Sequence, residues 1–286
     1  MTFSANGEYL LSCVRDQYVG VWRVQDGKRV AMMATGVQGN VDEVLCLAVS
    51  KDGQWIAAGT FWGKVVVWDA ETRDKVWEHK EDSKDIRAVD FSPDSTRLVS
   101  ASDNYTATVW DIATRKQIQT LKHKNWVFAA KFSPKGDRIA TATFLESVRV
   151  WDSDDGSLLV DIPVTVTPEF NNGLLWDHNN LVVTSRDKIK HLDPSTGSTS
   201  FEWSIPGSNT KSCISVPKCD GFIALSTNST VTLLDTTQSR HSVIQHTGRI
   251  SSLALSPDDR SLAIGGKDGI IIIRSLPRIA VSAVSH

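Results

Sequence analysis

The sequence contains few cysteines, and this scarcity excludes two ways of stabilising a fold. Its 286 residues include four cysteines, namely Cys13, Cys46, Cys213 and Cys219. They are too few and too widely spaced for a disulfide scaffold or a zinc site. We therefore expect reduced thiols and an intracellular protein, cytoplasmic in the first instance and nuclear as the alternative.

The sequence also lacks the long apolar segments of membrane and secreted proteins. No run of about 18 apolar residues, the length needed to span a bilayer, is present. The N-terminus, Met-Thr-Phe-Ser-Ala-Asn-Gly, has neither the basic start nor the apolar core of a signal peptide. The sequence thus predicts a protein that is not secreted and has no membrane partner.

Neither sign of charge is in excess. The 31 Lys and Arg residues against 33 Asp and Glu residues give a formal net charge of −2. Proteins that bind nucleic acid normally carry a basic excess that neutralises phosphates. The charge balance therefore argues against nucleic acid as a partner.

Tryptophan, in contrast, is abundant, with 10 Trp against 3 Tyr. Four tryptophans recur at intervals of 46, 42 and 41 residues, each at the end of an apolar, strand-prone run. These are Trp22, Trp68, Trp110 and Trp151. The spacing continues with leucine at Leu192 and Leu234, and a last copy reaches Arg274. A repeat of this period indicates a stacked or radial repeat architecture.

Each repeat predicts four short strands. In residues 123–164 the apolar runs are separated by Ser-Pro-Lys-Gly-Asp and by Asp-Asp-Gly, which are typical turn sequences. No helical period extends beyond about one turn. We therefore predict a single all-β domain over residues 1–286, built from seven repeats. Their approximate bounds are 1–39, 40–79, 80–122, 123–164, 165–205, 206–245 and 246–286.

The repeat resembles that of the WD40 family, whose units span about 40–45 residues and carry a Trp-Asp mark. The mark stands here as Trp68-Asp69, Trp110-Asp111 and Trp151-Asp152, and its Asp persists as Asp193 and Asp235. The resemblance covers the whole chain. It implies a seven-bladed β-propeller of four-stranded antiparallel blades.

In the WD40 family a His, a Ser or Thr, an Asp and the Trp form a hydrogen-bonded set inside a blade. The Asp lies six residues before the Trp, which selects Asp16 in the first repeat and Asp268, with His246, in the last. Arg274 replaces the Trp in the last repeat, and the fourth repeat has the His and the Trp but no such Asp. Because no repeat carries the whole set, we expect the blades to depend on apolar packing.

The start of the first repeat predicts an incomplete blade. Only Met1 and Thr2 precede the Phe3-Ser4 pair that opens this repeat, so we expect its innermost strand to be almost absent. We hypothesise that the chain is a fragment of a longer protein. Closure of the ring would then come from the strand-prone tail 278–286 or from residues upstream.

No group of residues typical of catalysis is found in the sequence. It contains neither G-x-S-x-G nor H-E-x-x-H. Residues 59–65 resemble a phosphate-binding loop only faintly, because Val65 stands where Ser or Thr would bind magnesium. We predict no enzyme activity, no cofactor or metal site and no small-molecule substrate.

The resemblance also implies where a partner would bind. In the family, the binding face commonly includes the residue seven positions before the Trp and the entry to each innermost strand. The candidate partner-binding residues are Arg15, Phe61, Trp62, Asp103, Trp126, Phe144, Arg249 and Lys267. Aromatic and Arg side chains are enriched in protein interfaces. We predict an aromatic sector beside a basic sector, suited to an extended peptide with an apolar anchor and an acidic residue. Alternatively, the aromatic side chains cover the blade edges.

These features favour a non-catalytic protein-interaction scaffold that binds a partner protein or peptide on the propeller face near the central channel. The first alternative is the C-terminal sensor array of a larger signalling protein of innate-immunity or incompatibility type. The second is a substrate receptor in a ubiquitin-ligase complex, although the Trp-Asp-x-Arg variant seen in some such receptors is absent. A nucleic-acid or chromatin reader is disfavoured by the charge balance.

Overall fold

A serine-based turn joins the first two strands of most repeats. The Ser92 hydroxyl accepts a hydrogen bond from the Arg97 backbone NH at 2.9 Å and donates one to Asp94 at 2.6 Å. In other repeats, the backbone NH five residues after the serine makes the equivalent hydrogen bond to the hydroxyls of Ser4, Ser50, Ser133 and Ser256. A side chain that satisfies a turn amide in this way stabilises the chain reversal. The apolar–Ser pairs of the sequence therefore mark the ends of strands.

The computed structural model describes residues 1–13, 17–36, 42–80, 84–166, 173–185, 188–204, 214–215, 222–235 and 241–276. Within these ranges the chain forms strands and turns and no helix, which confirms the all-β prediction. The strands form sheets of consecutive antiparallel neighbours, here called blades.

The strands of blades 1 to 4 have the following bounds. Blade 1 contains β1 (Thr2–Phe3), β2 (Tyr9–Cys13), β3 (Tyr18–Arg23) and β4 (Arg29–Ala34). Blade 2 contains β5 (Val44–Val49), β6 (Trp55–Thr60), β7 (Lys64–Asp69) and β8 (Lys75–Lys80). Blade 3 contains β9 (Ile86–Phe91), β10 (Arg97–Ser102), β11 (Thr106–Asp111) and β12 (Lys116–Lys122). Blade 4 contains β13 (Val127–Phe132), β14 (Arg138–Thr143), β15 (Val148–Asp152) and β16 (Leu158–Ile162).

The remaining strands form blades 5 to 7. Blade 5 contains β17 (Leu174–Asp177), β18 (Asn180–Ser185), β19 (Lys188–Leu192) and β20 (Thr199–Ser204). Blade 6 contains β21 (Ile214–Ser215), β22 (Phe222–Thr227), β23 (Thr230–Asp235) and β24 (His241–Gln245), and only the backbone is described for several of its residues. Blade 7 contains β25 (Ile250–Leu255), β26 (Ser261–Gly266) and β27 (Ile271–Ser275).

Six of these sheets have four strands, and blade 7 has three within the described residues. This arrangement confirms a propeller of four-stranded antiparallel blades. The innermost strand of blade 1 is present but short, as expected for an incomplete strand: β1 has two residues, which pair Thr2 with Leu11 and Phe3 with Leu10, whereas β5, β9 and β13 have six each. The tail 278–286, which was expected to supply a strand, lies outside the described residues.

The apolar core lies between blades. Along β7, Val65 and Val67 belong to the cluster shared with blade 3, whereas Val66 and Trp68 belong to the cluster shared with blade 1. Successive strand residues point to opposite faces, so a strand with neighbours on both sides needs a continuous apolar run. This explains why β7 reads KVVVW, an apolar run rather than an alternation with polar residues.

Apolar contacts also join the two ends of the described chain. Phe3 and Leu10 of blade 1 pack in one cluster with Ala263 of blade 7. The amino group of Met1 donates a hydrogen bond to the Ser252 hydroxyl at 3.2 Å. Blades 1 and 7 are therefore neighbours in the ring, as the resemblance implied.

In blades 1, 3 and 4 the repeated tryptophan is anchored by a hydroxyl ten residues upstream. Trp110 donates from Nε1 to Ser100 Oγ at 2.9 Å, and Trp22 donates to Ser12 at 2.8 Å. In blade 4, Trp151 Nε1 donates to Thr141 Oγ1 at 2.8 Å. A buried indole NH needs such a partner. The hydrogen-bonded set of the family is thus partly retained, beside the apolar packing that the sequence predicted.

The Asp of the Trp-Asp mark stabilises the turn between the third and fourth strands. Asp69 Oδ1 accepts hydrogen bonds from the backbone NH groups of Glu71 and Thr72 at 2.9 and 2.8 Å. These bonds lower the pKa of Asp69. Equivalent turn contacts are made by Asp111, Asp152 and Asp193. Only the backbone of Asp235 is described, so its role stays a prediction.

Candidate functional site

The candidate residues of blades 2, 3, 4 and 7 occupy equivalent places at one end of the propeller. We call this end the upper face, and we define it by the turns between the second and third strands (61–63, 103–105, 144–147 and 267–270). The backbone NH groups of Phe61, Asp103, Phe144 and Lys267 donate to the carbonyl oxygens of Glu43, Asp85, Trp126 and Arg249, respectively, at 2.7–3.0 Å. The same repeat position therefore reaches the same place in each blade.

Blade 2 presents a pair of exposed aromatic side chains. The rings of Phe61 and Trp62 meet edge to face, with centroids 5.2 Å apart. The backbone NH of Trp62 donates to Asp42 Oδ1 at 2.9 Å, and Lys64 lies 3.5 Å from the other oxygen of Asp42. The buried Asp42 carboxylate thus holds the turn in place while the two rings stay at the surface.

Blade 4 presents a second aromatic pair. The ring centroids of Trp126 and Phe144 are 5.5 Å apart. Asn125 fixes the pair, since its amide oxygen accepts from the Trp126 NH at 2.8 Å and its amide nitrogen donates to the Phe144 carbonyl at 3.0 Å. Phe144 is half-buried against the core between blades 4 and 5. Phe144 therefore contributes to the packing of the core, whereas Trp126 remains exposed.

Blade 3 places an ion cluster between the two aromatic pairs. Arg87 donates to both oxygens of Asp103, from Nε at 3.0 Å and from Nη2 at 2.6 Å, and its Nη2 lies 2.9 Å from Asp85. The hydrogen bond to Asp103 raises the pKa of Arg87. Burial raises the pKa of Asp85, and attraction to Arg87 opposes this rise. The predicted contact residue Asp103 is thus already paired within the chain.

Arg87 reaches this cluster because of a bulge. In blades 2, 3, 4 and 7 the register of the innermost strand shifts at its entry. The residues that stand outside the register are Leu45, Arg87, Phe128 and Ser251. A bulge redirects the side chain at its position. Arg87 could not be recognised from the sequence, since a one-residue bulge does not change the spacing of a repeat counted from the Trp.

Blade 7 carries the described part of the predicted basic sector. Arg249 lies at the entry to β25, and its buried Nε has no hydrogen-bond partner in the described part of the chain. His246 Nδ1 accepts from the Gly248 NH at 2.9 Å. Asp268 Oδ2 accepts from the Thr247 hydroxyl at 2.9 Å and lies 3.9 Å from His246 Nδ1, which is too long for a hydrogen bond. Arg15 and Asp16 lie outside the described residues.

Two further exposed side chains on the upper face were not identified from the sequence. Tyr105 and Leu145 stand in the turns of blades 3 and 4, and both adopt a left-handed φ. The exposed fractions of the large apolar side chains are 40% for Phe61, 48% for Trp62, 47% for Tyr105, 44% for Trp126 and 56% for Leu145. Leu145 stands six residues before Trp151, where the resemblance places the family Asp, and Tyr105 stands one residue after the same position in its repeat. Exposed apolar side chains therefore occur on each of blades 2 to 4, and the ion cluster of blade 3 lies among them.

Other reactive groups are few in the described ranges. Cys13 and Cys46 are free thiols, and burial raises the pKa of both. Three or more His, Cys, Asp or Glu side chains nowhere converge to form a metal site among the residues that the structure describes. The described chain also has no helix with the length and apolar character needed to cross a bilayer.

The fold and this face define a WD40-type propeller, a class of protein-interaction scaffold. The sequence profile of that family, described as WD domain, G-beta repeat, matches residues 33–69, 73–111, 115–152 and 237–275, which together are more than half of the chain. The chain therefore belongs to the WD40-repeat family.

Individual relatives show how far the likeness extends. The chain is 27% identical over 282 residues to human apoptotic protease-activating factor 1, a match that covers 94% of this chain and 22% of that protein. It is 26% identical to zebrafish WD repeat-containing protein 18, covering 88% of this chain and 63% of that protein. The chain thus spans about a fifth of the length of the first of these relatives.

Among solved structures, the chain is similar to one in the crystal structure of the mitotic checkpoint complex. The TM-score is 0.81 at 17% identity, and the match covers 96% of this chain and 88% of that chain. At this identity the likeness shows the fold alone.

Proposed function

We propose that the protein is an interaction scaffold that binds a partner protein or peptide through the exposed aromatic residues of the upper face. The observation that carries the proposal is the series Phe61, Trp62, Tyr105, Trp126 and Leu145, exposed on three consecutive blades. Exposed apolar side chains gathered on one face are typical of binding sites. Aromatic residues are the ones that contribute most to interface energies.

Charge on the same face supports an extended peptide as the bound segment. Asp103 and Asp85 are already paired with Arg87. Arg249 in blade 7 has a buried nitrogen without a hydrogen-bond partner among the described residues. A peptide with an apolar anchor for blades 2 to 4 and a carboxylate for blade 7 satisfies both features.

The proposal predicts that Trp62→Ser/Trp126→Ser loses its partners in a pull-down from native lysate read by mass spectrometry. Both rings are exposed, so we expect the melting temperature to stay close to that of the wild type. Partner recovery should fall by an order of magnitude or more, since loss of a central aromatic residue costs about 2 kcal/mol or more.

Phe201→Ser is the matched control, because Phe201 is equally exposed (49%) but lies on the outer strand β20. Its partners should equal those of the wild type. If the double variant folds and retains the same partners, the binding surface lies elsewhere. If its melting temperature falls steeply, the alternative that these aromatic residues cover blade edges is the better one.

A second candidate function is a WD40 sensor array within a larger signalling protein. The match to 94% of this chain but only 22% of apoptotic protease-activating factor 1 favours it. In that case an antibody raised against the propeller should detect, in native lysate, a polypeptide several times longer than 286 residues. A native band of the size of this chain alone would contradict it.

A further inference from the structure

The lower face, opposite the proposed binding surface, contains a cavity of about 580 Å³ between blades 1 and 2. It is lined by the turns 4–6 and 51–53, which join first and second strands, and by the turn 70–73. These turns lie at the far ends of strands whose other ends form the upper face. A six-residue strand such as β6 is about 20 Å long, so the cavity is separate from the aromatic surface.

Two residues beside the cavity are smaller than their counterparts in blade 3. The residue after the Trp-Asp mark is Ala70 in blade 2 but Ile112 in blade 3, where the isoleucine packs against the core between blades 2 and 3. Ala5 likewise stands where blades 3 and 7 have Pro93 and Pro257. The missing side-chain atoms leave the space open.

A bridging side chain is also missing. At the boundary of blades 3 and 4, Arg97 crosses the equivalent gap and donates to the Ser153 carbonyl at 2.6 Å. At the same position blade 1 has Tyr9, whose ring stacks under the Arg73 guanidinium at 5.8 Å. The tyrosine forms one wall of the cavity and leaves its mouth open.

The lining combines an apolar floor with charge at the mouth. Leu11, Val21 and Ile56 of the core between blades 1 and 2 line the floor. Lys51 and Arg73 line the mouth, and neither makes an ion pair with another described residue. The volume lies within the usual range for ligand pockets, about 300–1,000 Å³.

Two carboxylates also line the cavity, and they differ in availability. Asp52 accepts the Ser50 hydroxyl at 2.6 Å and the Gln54 NH at 3.0 Å, so it stabilises its own turn. Glu71 is exposed in the turn after the Trp-Asp mark. The guanidinium of Arg73 on its aromatic wall is thus the best-placed donor for an incoming anion.

We propose that this cavity binds a peptide segment of a partner protein in which an apolar side chain adjoins a carboxylate. The apolar group fills the space left by Ala70, and the carboxylate pairs with Arg73. The site is independent of the upper face. The protein would then hold two partners, or two segments of one partner, on opposite sides of the ring.

The test uses 3-phenylpropionate as the probe and methyl NMR spectra of the full chain. We expect saturable shifts of the Leu11, Val21 and Ile56 methyl signals, with dissociation in the millimolar range expected of so small a ligand. Ala70→Ile, which installs the residue of blade 3, should abolish these shifts while the rest of the spectrum stays folded. The alcohol 3-phenylpropanol should bind more weakly than the acid.

A second pair of variants tests the role of charge. Arg73→Gln should weaken binding about fivefold, as expected for an exposed ion pair. Arg115→Gln is the matched control, since Arg115 occupies the same left-handed turn position in blade 3 and does not line the cavity. The proposal is overturned if the floor methyl signals do not shift, if folded Ala70→Ile binds as well as the wild type, or if both arginine variants bind equally.

Discussion

Trp110→Ala should lower the free energy of unfolding by about 3–5 kcal/mol, the usual cost of truncating a buried aromatic residue. Trp110 is 1% exposed and belongs to the core between blades 2 and 3. Its ring lies 5.2 Å from that of Trp77 and 4.6 Å from that of His79. Truncation therefore removes packing between two blades as well as within one. Urea denaturation followed by circular dichroism would measure the change.

Two companion variants separate packing from hydrogen bonding. Ser100→Ala removes the acceptor of the Trp110 indole NH and the long hydrogen bond that the Ser100 hydroxyl donates to the Thr108 carbonyl at 3.5 Å. We expect a loss of about 1–3 kcal/mol, mainly the cost of the unsatisfied indole donor. Trp22→Ala truncates the equivalent but half-buried tryptophan of blade 1 and should cost less than Trp110→Ala. If both tryptophan variants lose the same free energy of unfolding, burial between blades is not the main contribution of the tryptophan to stability.

The second large effect concerns acid stability and His123. Burial, and then the charge of Arg149, lower the pKa of His123 to about 4. Nδ1 lies 3.0 Å from the Leu121 carbonyl, which can only accept, so this nitrogen carries the hydrogen. Nε2 therefore accepts from the Thr141 hydroxyl at 2.9 Å. A proton on Nε2 would force this nitrogen to donate to the Thr141 hydroxyl instead, and it would bring a charge into a buried site.

The direction of the pH effect follows from this pKa. In the unfolded chain His123 binds a proton near pH 6.5, whereas in the folded chain it does so only near pH 4. Between these two pH values the unfolded state thus binds more protons than the folded state. The contribution of the neutral, buried His123 to the free energy of unfolding is therefore fully present above about pH 6.5 and is lost as the pH falls towards 4. We expect a contribution of about 2 kcal/mol to disappear between pH 7 and pH 5.

Denaturation midpoints of the wild type and His123→Gln at both pH values would test this expectation. The variant should lose about 2 kcal/mol less than the wild type on acidification. His178→Gln, which changes an exposed histidine of a blade 5 turn, should keep the pH dependence of the wild type. If the wild type and His123→Gln show the same pH dependence, His123 is not the group that titrates.

Local chemistry explains why the strands could be predicted from the sequence. The Ser92 turn and the Asp69 turn are made by side chains bonding to backbone groups a few residues away. Such contacts depend on nearby sequence alone, so a repeat of Ser, Trp and Asp positions predicts strands and turns together. The same reasoning located Phe61, Trp62 and Trp126 on one face, because equivalent repeat positions reach equivalent places.

Contacts between distant residues could not be obtained in that way. The blade 1 strand β1 is as short as expected, but its packing was not foreseen: Phe3 lies in one cluster with Ala263 of blade 7. Asp103 was expected to meet a partner, but a bulge brings Arg87 onto it. Phe144 was expected at the surface with Trp126, but it is half-buried against the core between blades 4 and 5.

The sequence by itself determined the all-β repeat, the Trp-Asp family and the set of residues at the upper turns, because each depends on spacing along the chain. The tertiary structure decided which of those residues are free to bind, and it opened the cavity beside Ala70 on the lower face. Pairing of Arg87 with Asp103 and the space beside Ala70 both arise where separate strands or blades meet. Their geometry depends on how the chain is brought together, which a one-dimensional repeat does not record.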